Sequence, residues 1–334
     1  MENHLLEYIK IKDFKCFKDF EAKGFKRVNL IGGKNNVGKT AFMEACYINV
    51  HSSNIDNLTA AIVDISISRS KSNVTEQILK SLSSIGVEAL PQLLLHALEK
   101  TSYYNSSSNN NSIQFKIVSI NGQKEYLFII NNREVSVNSN LFSIFNLKNL
   151  SYIRFNDCYG LSSTDLKEIY GSIQKKDKEE LLNKYINKFD TNILSFKILE
   201  DEPACKVIDR DAYQNINEFG DGLKHYISII CSLYACENGY LFIDEIDNGI
   251  HYTQLDRLWE IILTVSKEQN VQVFATTHSK ECIESYARVS KKLEDEDIAF
   301  IELGRDKKNE LKAMVYPYDW FEDEVSQNHE LRGW

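Results

Sequence analysis

The sequence predicts an α/β protein. Its mixed sheet carries flanking helices, with an antiparallel β portion at the N-terminus and a helical and β insertion after the first helix. Three observations lead there. Residues 27–49 read as strand, glycine-rich loop and helix in immediate succession. From Gly220 onward helix (222–236), strand (240–244), helix (253–267), strand (271–276) and helix (279–289) alternate, the rhythm of a parallel sheet. Between Ile113 and Val137, period-two runs such as Gln114-Phe115-Lys116-Ile117 suggest a β-meander.

Taken in order, Tyr8-Ile9-Lys10-Ile11-Lys12 alternates apolar and polar residues, as a half-buried strand does, and Asp19–Ala22 suits an antiparallel partner. Arg27–Ile31 is a third strand, running into Gly32 and Gly33 and then a helix from Lys39 to Asn49. Thr75–Leu82 and Ala89–Leu98 read as helices, the second with Leu93, Leu94, Leu95 and Leu98 on its apolar face. Tyr103–Ser112, YYNSSSNNNS, reads as a polar loop by composition. Leu150–Phe155 is a strand and Asp165–Lys188 helical; Leu194–Leu199 and Ala204–Asp209 form a hairpin around Asp201-Glu202-Pro203. A strand pair over 297–316 closes the fold. This organisation divides the chain into one domain of residues 1–51 and 149–316, an insertion of 52–148, and a C-terminal tail of 317–334.

Composition excludes several classes. The 334 residues, 43% hydrophobic and 26% charged, suffice for a full core and argue against disorder. Three prolines and 14 glycines exclude collagen-like and proline-rich chains. No apolar run approaches the roughly 18–20 residues of a membrane span. The opening MENHLLEYIKIKDF lacks a signal-peptide core, so a cytoplasmic protein without membrane attachment is expected. Seven scattered cysteines without a CxxC pair read as reduced core thiols. The net charge of −9 gives no global attraction for nucleic acid, although residues 1–40 carry a net +4.

The chemistry concentrates in four motifs. Gly33-Lys34-Asn35-Asn36-Val37-Gly38-Lys39-Thr40 is a complete GxxxxGK[ST] P-loop, placed between strand and helix as its mechanism requires. Backbone N–H groups from Gly33 to Ala41, through Asn35, Asn36 and Gly38, would curl around phosphates at the helix N-terminus. Lys39 would reach the β- and γ-phosphates and Thr40 would ligate Mg²⁺. Tyr240-Leu241-Phe242-Ile243-Asp244-Glu245 is a buried strand ending in two acids, the form of a Walker B site. There Asp244 would join the Mg²⁺ shell and Glu245 would polarise the attacking water. Asp247-Asn248-Gly249 follows, either a contact with a partner subunit or simply a turn. The strand Val271–Thr276 ends in Thr277-His278-Ser279, where an imidazole at the sheet's C-terminal edge can donate to a γ-phosphate and Ser279 can cap the next helix. Last, Phe219-Gly220-Asp221-Gly222-Leu223-Lys224-His225 opens a helix, a potential anion site or an ordinary helix start.

In this order the motifs resemble the ABC-class ATPases. The closer likeness is to the SMC/RecF-like branch and to stand-alone AAA-type ATPases related to the OLD (overcoming lysogenization defect) family. IKIKDFKCFKDFEAKGFKRVNLIGGKNNVGKT is similar to that group's strand pair and P-loop; FIDEIDNGIH and ATTHS are similar to its Walker B/D-loop and histidine switch. FGDGLKH stands where the signature motif belongs, with Phe219 in place of the usual serine and Asp221 between the glycines. The likeness covers about 1–50 and 215–290. It implies a head-to-tail homodimer or higher homo-oligomer closing around ATP and Mg²⁺. Lys39, Thr40 and Asp244 would hold the nucleotide and metal, Glu245 would be the catalytic carboxylate, and His278 would sense the γ-phosphate. Gly220, Gly222 and Lys224 would act in trans. No Gln-loop is placed; Gln92 and Gln114 are its candidates.

The P-loop and FGDGLKH lie about 180 residues apart, too close for an SMC coiled coil. Fifty-five residues follow Ser279, so the Toprim nuclease module of the OLD proteins is expected to be absent. The resemblance then implies an ATPase switch controlling a separate effector, such as a nuclease, in bacterial anti-phage defence. The insertion and the tail's Trp320, Phe321 and Trp334 are candidate docking surfaces, or core packing. A second reading is a DNA-binding repair or recombination ATPase of SMC/RecF type. It would use Lys10, Lys12, Lys15, Lys18, Lys23 and Lys26, unless these simply face solvent. A small-molecule kinase is a third, disfavoured by the acid pair and His278 together.

Overall fold

The structure is a computed structural model that describes residues 5–69, 90–120, 123–138 and 150–327. The helix expected at 75–82, Ala89 and the end of the tail with Trp334 lie outside them. The chain forms two compact units, one of Met1–Leu5, Gly24–Thr40 and Ser151–Trp334, the other of Leu6–Lys23 and Ala41–Leu150.

The first unit is organised by β3 (Val28–Gly33), whose six residues VNLIGG are all buried. It lies inside a six-stranded sheet of order β15-β14-β3-β13-β12-β8. The strands are β8 (Ile153–Asn156), β12 (Tyr240–Ile243), β13 (Gln272–Thr276), β14 (Ile298–Arg305) and β15 (Leu311–Pro317). All neighbours are parallel except the edge pair β14–β15. Near-continuous apolar runs in β3, β12 and β13 are what a sheet covered on both faces demands. The helices of this unit are α4 (Ser163–Lys175), α5 (Glu179–Phe189), α6 (Asp221–Ala235), α7 (Leu255–Glu268), α8 (Lys280–Lys292) and α9 (Tyr318–Ser326). Trp259 and Tyr286 meet within the core with ring centroids 4.5 Å apart and planes tilted by 41°, and the Tyr286 hydroxyl donates to Val28 O at 2.9 Å. A small sheet, β11-β10-β9, contains the expected hairpin as β9 (Ile193–Leu199) and β10 (Glu202–Val207), with β11 (Gln214–Asn215) beside it.

The second unit holds an antiparallel six-stranded sheet, β2-β1-β4-β5-β6-β7. Its strands are β1 (Tyr8–Phe14), β2 (Phe17–Lys23), β4 (Tyr103–Ser108), β5 (Ser112–Ile120), β6 (Gln123–Ile130) and β7 (Arg133–Asn138). The N-terminal hairpin, expected to stand with residues 1–51, joins the meander here because β1 pairs with β4. Among the described residues its helices are α2 (Ile55–Arg69) and α3 (Leu90–Thr101); α1 (Lys39–His51) starts in the first unit and continues into this one.

Two expectations are corrected. Tyr103–Ser108 is a strand inside the sheet, not a polar loop. Tyr104 and Ser106 are buried on one face with their hydroxyls satisfied: Tyr104 donates to Ala45 O at 2.7 Å, Ser106 donates to Tyr104, and Asn49 donates to Ser106. A strand this polar stays dry because its side chains bond one another. The helix expected over 165–188 is two helices, separated at Asp177, whose φ of +52° a continuous helix cannot hold. Helix α2 was not foreseen. The tail's Phe321 packs against Phe300 at 5.1 Å, whereas Trp320 is exposed. None of the seven cysteines, all among the described residues, is in a disulfide, and five of them are buried. Among the described residues no helix is long and apolar enough to cross a membrane.

Two buried histidines, His225 on α6 and His51 on α1, make stability pH-dependent. Burial lowers each pKa to about 4. The unfolded chain takes up these protons near pH 6.5 and the folded one only near 4. Stability is therefore complete above 6.5 and falls by up to about 3 kcal/mol per histidine on acidification to pH 4. Thermal midpoints should hold between pH 8 and 7 and drop steadily below 6.5; a midpoint unchanged down to pH 4.5 would contradict neutral burial.

Candidate active site

The site begins where β3 ends. Gly33 has φ +139°, and a Cβ there would meet Leu303 O at 2.5 Å, so only glycine lets the chain turn beside β14. Asn36 and Gly38 also take positive φ, +59° and +108°, which curls residues 34–38 into a loop ahead of α1. Lys39, in the first turn, is 5% exposed and folds back over this loop. Its Nζ donates to Gly33 O at 2.8 Å and Lys34 O at 3.0 Å, and lies 3.0 Å from His278 Nδ1. Burial pushes the Lys39 pKa down to about 8, with Asp244 and Glu245 pulling it back up. An ammonium group has no acceptor, so His278 Nδ1 accepts and the ring's proton sits on Nε2. That nitrogen is 3.9 Å from Glu245 Oε1. The His278 pKa is lowered by burial first and by the Lys39 cation second.

Sheet order brings the acids to the same end. Strand β13 separates β3 from β12, and its parallel register places the residues after β12 beside the end of β13. Thr40 Oγ1 is 3.2 Å from both carboxylate oxygens of Asp244. Glu245 has φ +49°, a conformation rare for glutamate. Asp247–Gly249 forms a turn, with Gly249 at φ +70°. Ser279 caps α8, accepting from Cys282 N at 3.0 Å, so the cap and the exposed edge histidine coexist.

The FGDGLKH segment lies at the start of α6. Gly220 is its N-cap, exposed and with open space where a side chain would extend. Gly222 is buried against the Asp247–Gly249 turn, and a Cβ there would stand 2.0 Å from Gly249 O. Lys224 is half-buried and its carbonyl accepts from Ser228. A groove of about 540 Å³ opens here, lined by Phe189, Phe219, Gly220, His251 and Arg257 among others. The hydrogen bonds that join Lys39, Thr40, Asp244 and His278 do not include Gly220, Gly222 or Lys224.

Sequence reasoning missed two threonines. Thr276 Oγ1 donates to Asp244 Oδ1 at 2.6 Å and accepts from Glu245 N at 2.8 Å; Thr277 Oγ1 donates to Asp247 Oδ1 at 2.6 Å. Their only signal was adjacency to His278, since a threonine ending a strand is otherwise unremarked.

Chemically, the loop presents backbone donors and a cation to phosphate oxygens. Among the described residues no cluster of three His, Cys, Asp or Glu could cage a metal. Mg²⁺ bound chiefly by phosphates and water asks for less: one hydroxyl and one carboxylate, which Thr40 and Asp244 supply side by side.

The AAA ATPase domain model matches residues 161–283, which takes in FGDGLKH, the acid pair and His278. An ATP/GTP phosphatase of Helicobacter pylori is 27% identical over 325 residues, 84% of this chain and 87% of that protein. An uncharacterized protein of Methanocaldococcus jannaschii is 33% identical over 95 residues, covering 28% of this chain and 82% of that protein. Two solved structures share the fold. One is an Smc head bound to the C-winged helix domain of ScpA, with TM-score 0.53 and 12% identity over 94% of this chain and 98% of that one. The other is an Smc head with an extended coiled coil bound to the C-terminal domain of ScpA derived from Pyrococcus furiosus, with TM-score 0.52 and 11% identity over 97% and 99%. The chain is an ATPase, and its residues 161–283 match the AAA ATPase domain model.

Proposed function

We propose that the protein is a Mg²⁺-dependent ATP switch that closes head-to-tail with a second copy around ATP, opens on hydrolysis, and controls a separate effector, such as a nuclease, in bacterial anti-phage defence. The observation that carries the switch is the meeting of Lys39, Thr40, Asp244, Glu245 and His278 at one end of the sheet. The effector and the cytoplasmic defence role rest on the likeness of FIDEIDNGIH and ATTHS to OLD-related ATPases.

In this reading Gly33, Asn35, Asn36, Gly38 and Ala41 offer main-chain donors to the phosphates, and Lys39 leaves the Gly33 and Lys34 carbonyls for the β- and γ-oxygens. Thr40 and Asp244 hold Mg²⁺, which neutralises phosphate charge when bound. Glu245 orients the attacking water and takes its proton, while His278 donates from Nε2 toward the γ-phosphate. Gly220, Gly222 and Lys224 face the partner's nucleotide. Residues 52–148 serve as the insertion, its sheet extended by β1 and β2, and 317–334 as the tail of an ATPase domain formed by the rest of 1–51 and 149–316. The Helicobacter relative's name makes GTP a substrate to assay in parallel.

The test is the mass in solution, by light scattering, of Glu245→Gln protein with and without Mg-ATP. A larger assembly is expected with ATP only. Adding Gly220→Ala, for which the isolated chain has room, should abolish assembly with an unchanged thermal midpoint. Gly222→Ala should instead lower the midpoint, because overpacking against Gly249 costs about 1–3 kcal/mol of stability. ATP binding without any change of mass would sink the head-to-tail reading.

A further inference from the structure

Thr276 occupies a position that the motifs do not assign. It is the last residue of β13, 1% exposed, and one step beyond the register pair Ile243–Ala275, which sets it beside the acid pair following β12. Its hydroxyl makes two bonds in opposite senses. It donates to Asp244 Oδ1 at 2.6 Å and accepts from Glu245 N at 2.8 Å. Its carbonyl accepts from Ile246 N at 2.9 Å. One residue therefore grips three consecutive positions of the acidic loop.

The middle position needs the grip most. Glu245 has φ +49°, a left-handed conformation strained for an L-residue that surrounding bonds must sustain. Released from it, Glu245 would relax toward negative φ and its carboxylate would swing away from its place 3.9 Å from His278 Nε2. Asp244 is less dependent on the threonine, because its own N–H donates to Asn156 O at 2.9 Å.

The geometry points to Thr276 as a positioning residue for hydrolysis: its hydroxyl fixes the backbone of Glu245 in the left-handed conformation. This rests on Glu245 being the group that activates water. The effect belongs mainly to turnover, since Lys39 and the P-loop residues do not bond to Thr276 and the Asp244 carboxylate keeps Thr40 as its other hydroxyl partner.

The experiment compares Thr276→Val, which keeps the shape but neither donates nor accepts, with Thr276→Ser, which keeps the hydroxyl and loses a methyl. A displacement of the base should lower kcat of Thr276→Val by roughly 10–100-fold. KM, and the affinity for a non-hydrolysable ATP analogue measured without turnover, should stay within about threefold, and Thr276→Ser should recover kcat to within about threefold. Should Thr276→Val not fold, Thr276→Ala carries the same expectations. A Val variant turning over like the native protein overturns the proposal. So does a Ser variant as impaired as Val, because packing by the methyl would then be the cause. So does a loss confined to KM and analogue affinity. Glu245→Gln assayed alongside separates the two failures. An active Glu245→Gln overturns the assignment of Glu245 and this proposal with it; an inactive one beside a fully active Thr276→Val overturns the proposal alone.

Discussion

Glu245→Gln should lower ATP hydrolysis by roughly 10²–10⁴-fold, the contribution of a positioned general base, while ATP binding persists. The substitution keeps the size and planarity of the side chain but removes its capacity to take a proton. The fold uses the carboxylate little beyond its attraction for the Lys39 cation. The side chain is half-exposed and 3.9 Å from His278 Nε2, and the loop's left-handed turn is held through the main chain of Glu245. Stability should therefore be unchanged. Phosphate release at saturating Mg-ATP, with nucleotide affinity from equilibrium titration, separates the effects. A variant within tenfold of native turnover would move the base elsewhere.

Lys39→Ala should fail one step earlier. Hydrogen bonds between a buried cation and phosphate contribute about 1.5–3 kcal/mol, so affinity should fall roughly 10–100-fold and hydrolysis should drop to background. Stability should go the other way. Burial holds the Lys39 pKa down to about 8, which means the folded protein disfavours the charged form relative to the unfolded chain. Removing the ammonium relieves that, so the melting midpoint of the nucleotide-free variant should be equal or higher. A lower midpoint with native ATP affinity would contradict both halves of the argument, and thermal melts in the absence and presence of Mg-ATP read both.

What was legible in the sequence was whatever is local. The P-loop, the acid pair and the histidine each have their chemistry and their secondary structure within about ten residues, so Lys39, Thr40, Asp244, Glu245 and His278 could be named from the chain alone. The sheet order that brings them together could not, because nothing local says that β3 lies between β13 and β14. Composition misled at Tyr103–Ser108, where Tyr104, Ser106 and Asn49 satisfy one another inside a sheet and give no apolar alternation. Apolar periodicity misled at Asp177, where a single left-handed residue ends a helix that the pattern continues. Thr276 and Thr277 were invisible for a third reason: their partners, Asp244 and Asp247, lie some 30 residues away along the chain. Gly222 shows the same limit. Its glycine reads as a helix-start feature, but the space it vacates is taken by Gly249.

The most direct measurement is the identity of the nucleotide that Glu245→Gln retains after incubation with Mg-ATP and removal of free nucleotide. Binding at the Lys39 loop with hydrolysis dependent on Glu245 should leave stoichiometric, unhydrolysed ATP on the protein, and none on Lys39→Ala. ADP on Glu245→Gln, or ATP retained equally by Lys39→Ala, would contradict the account.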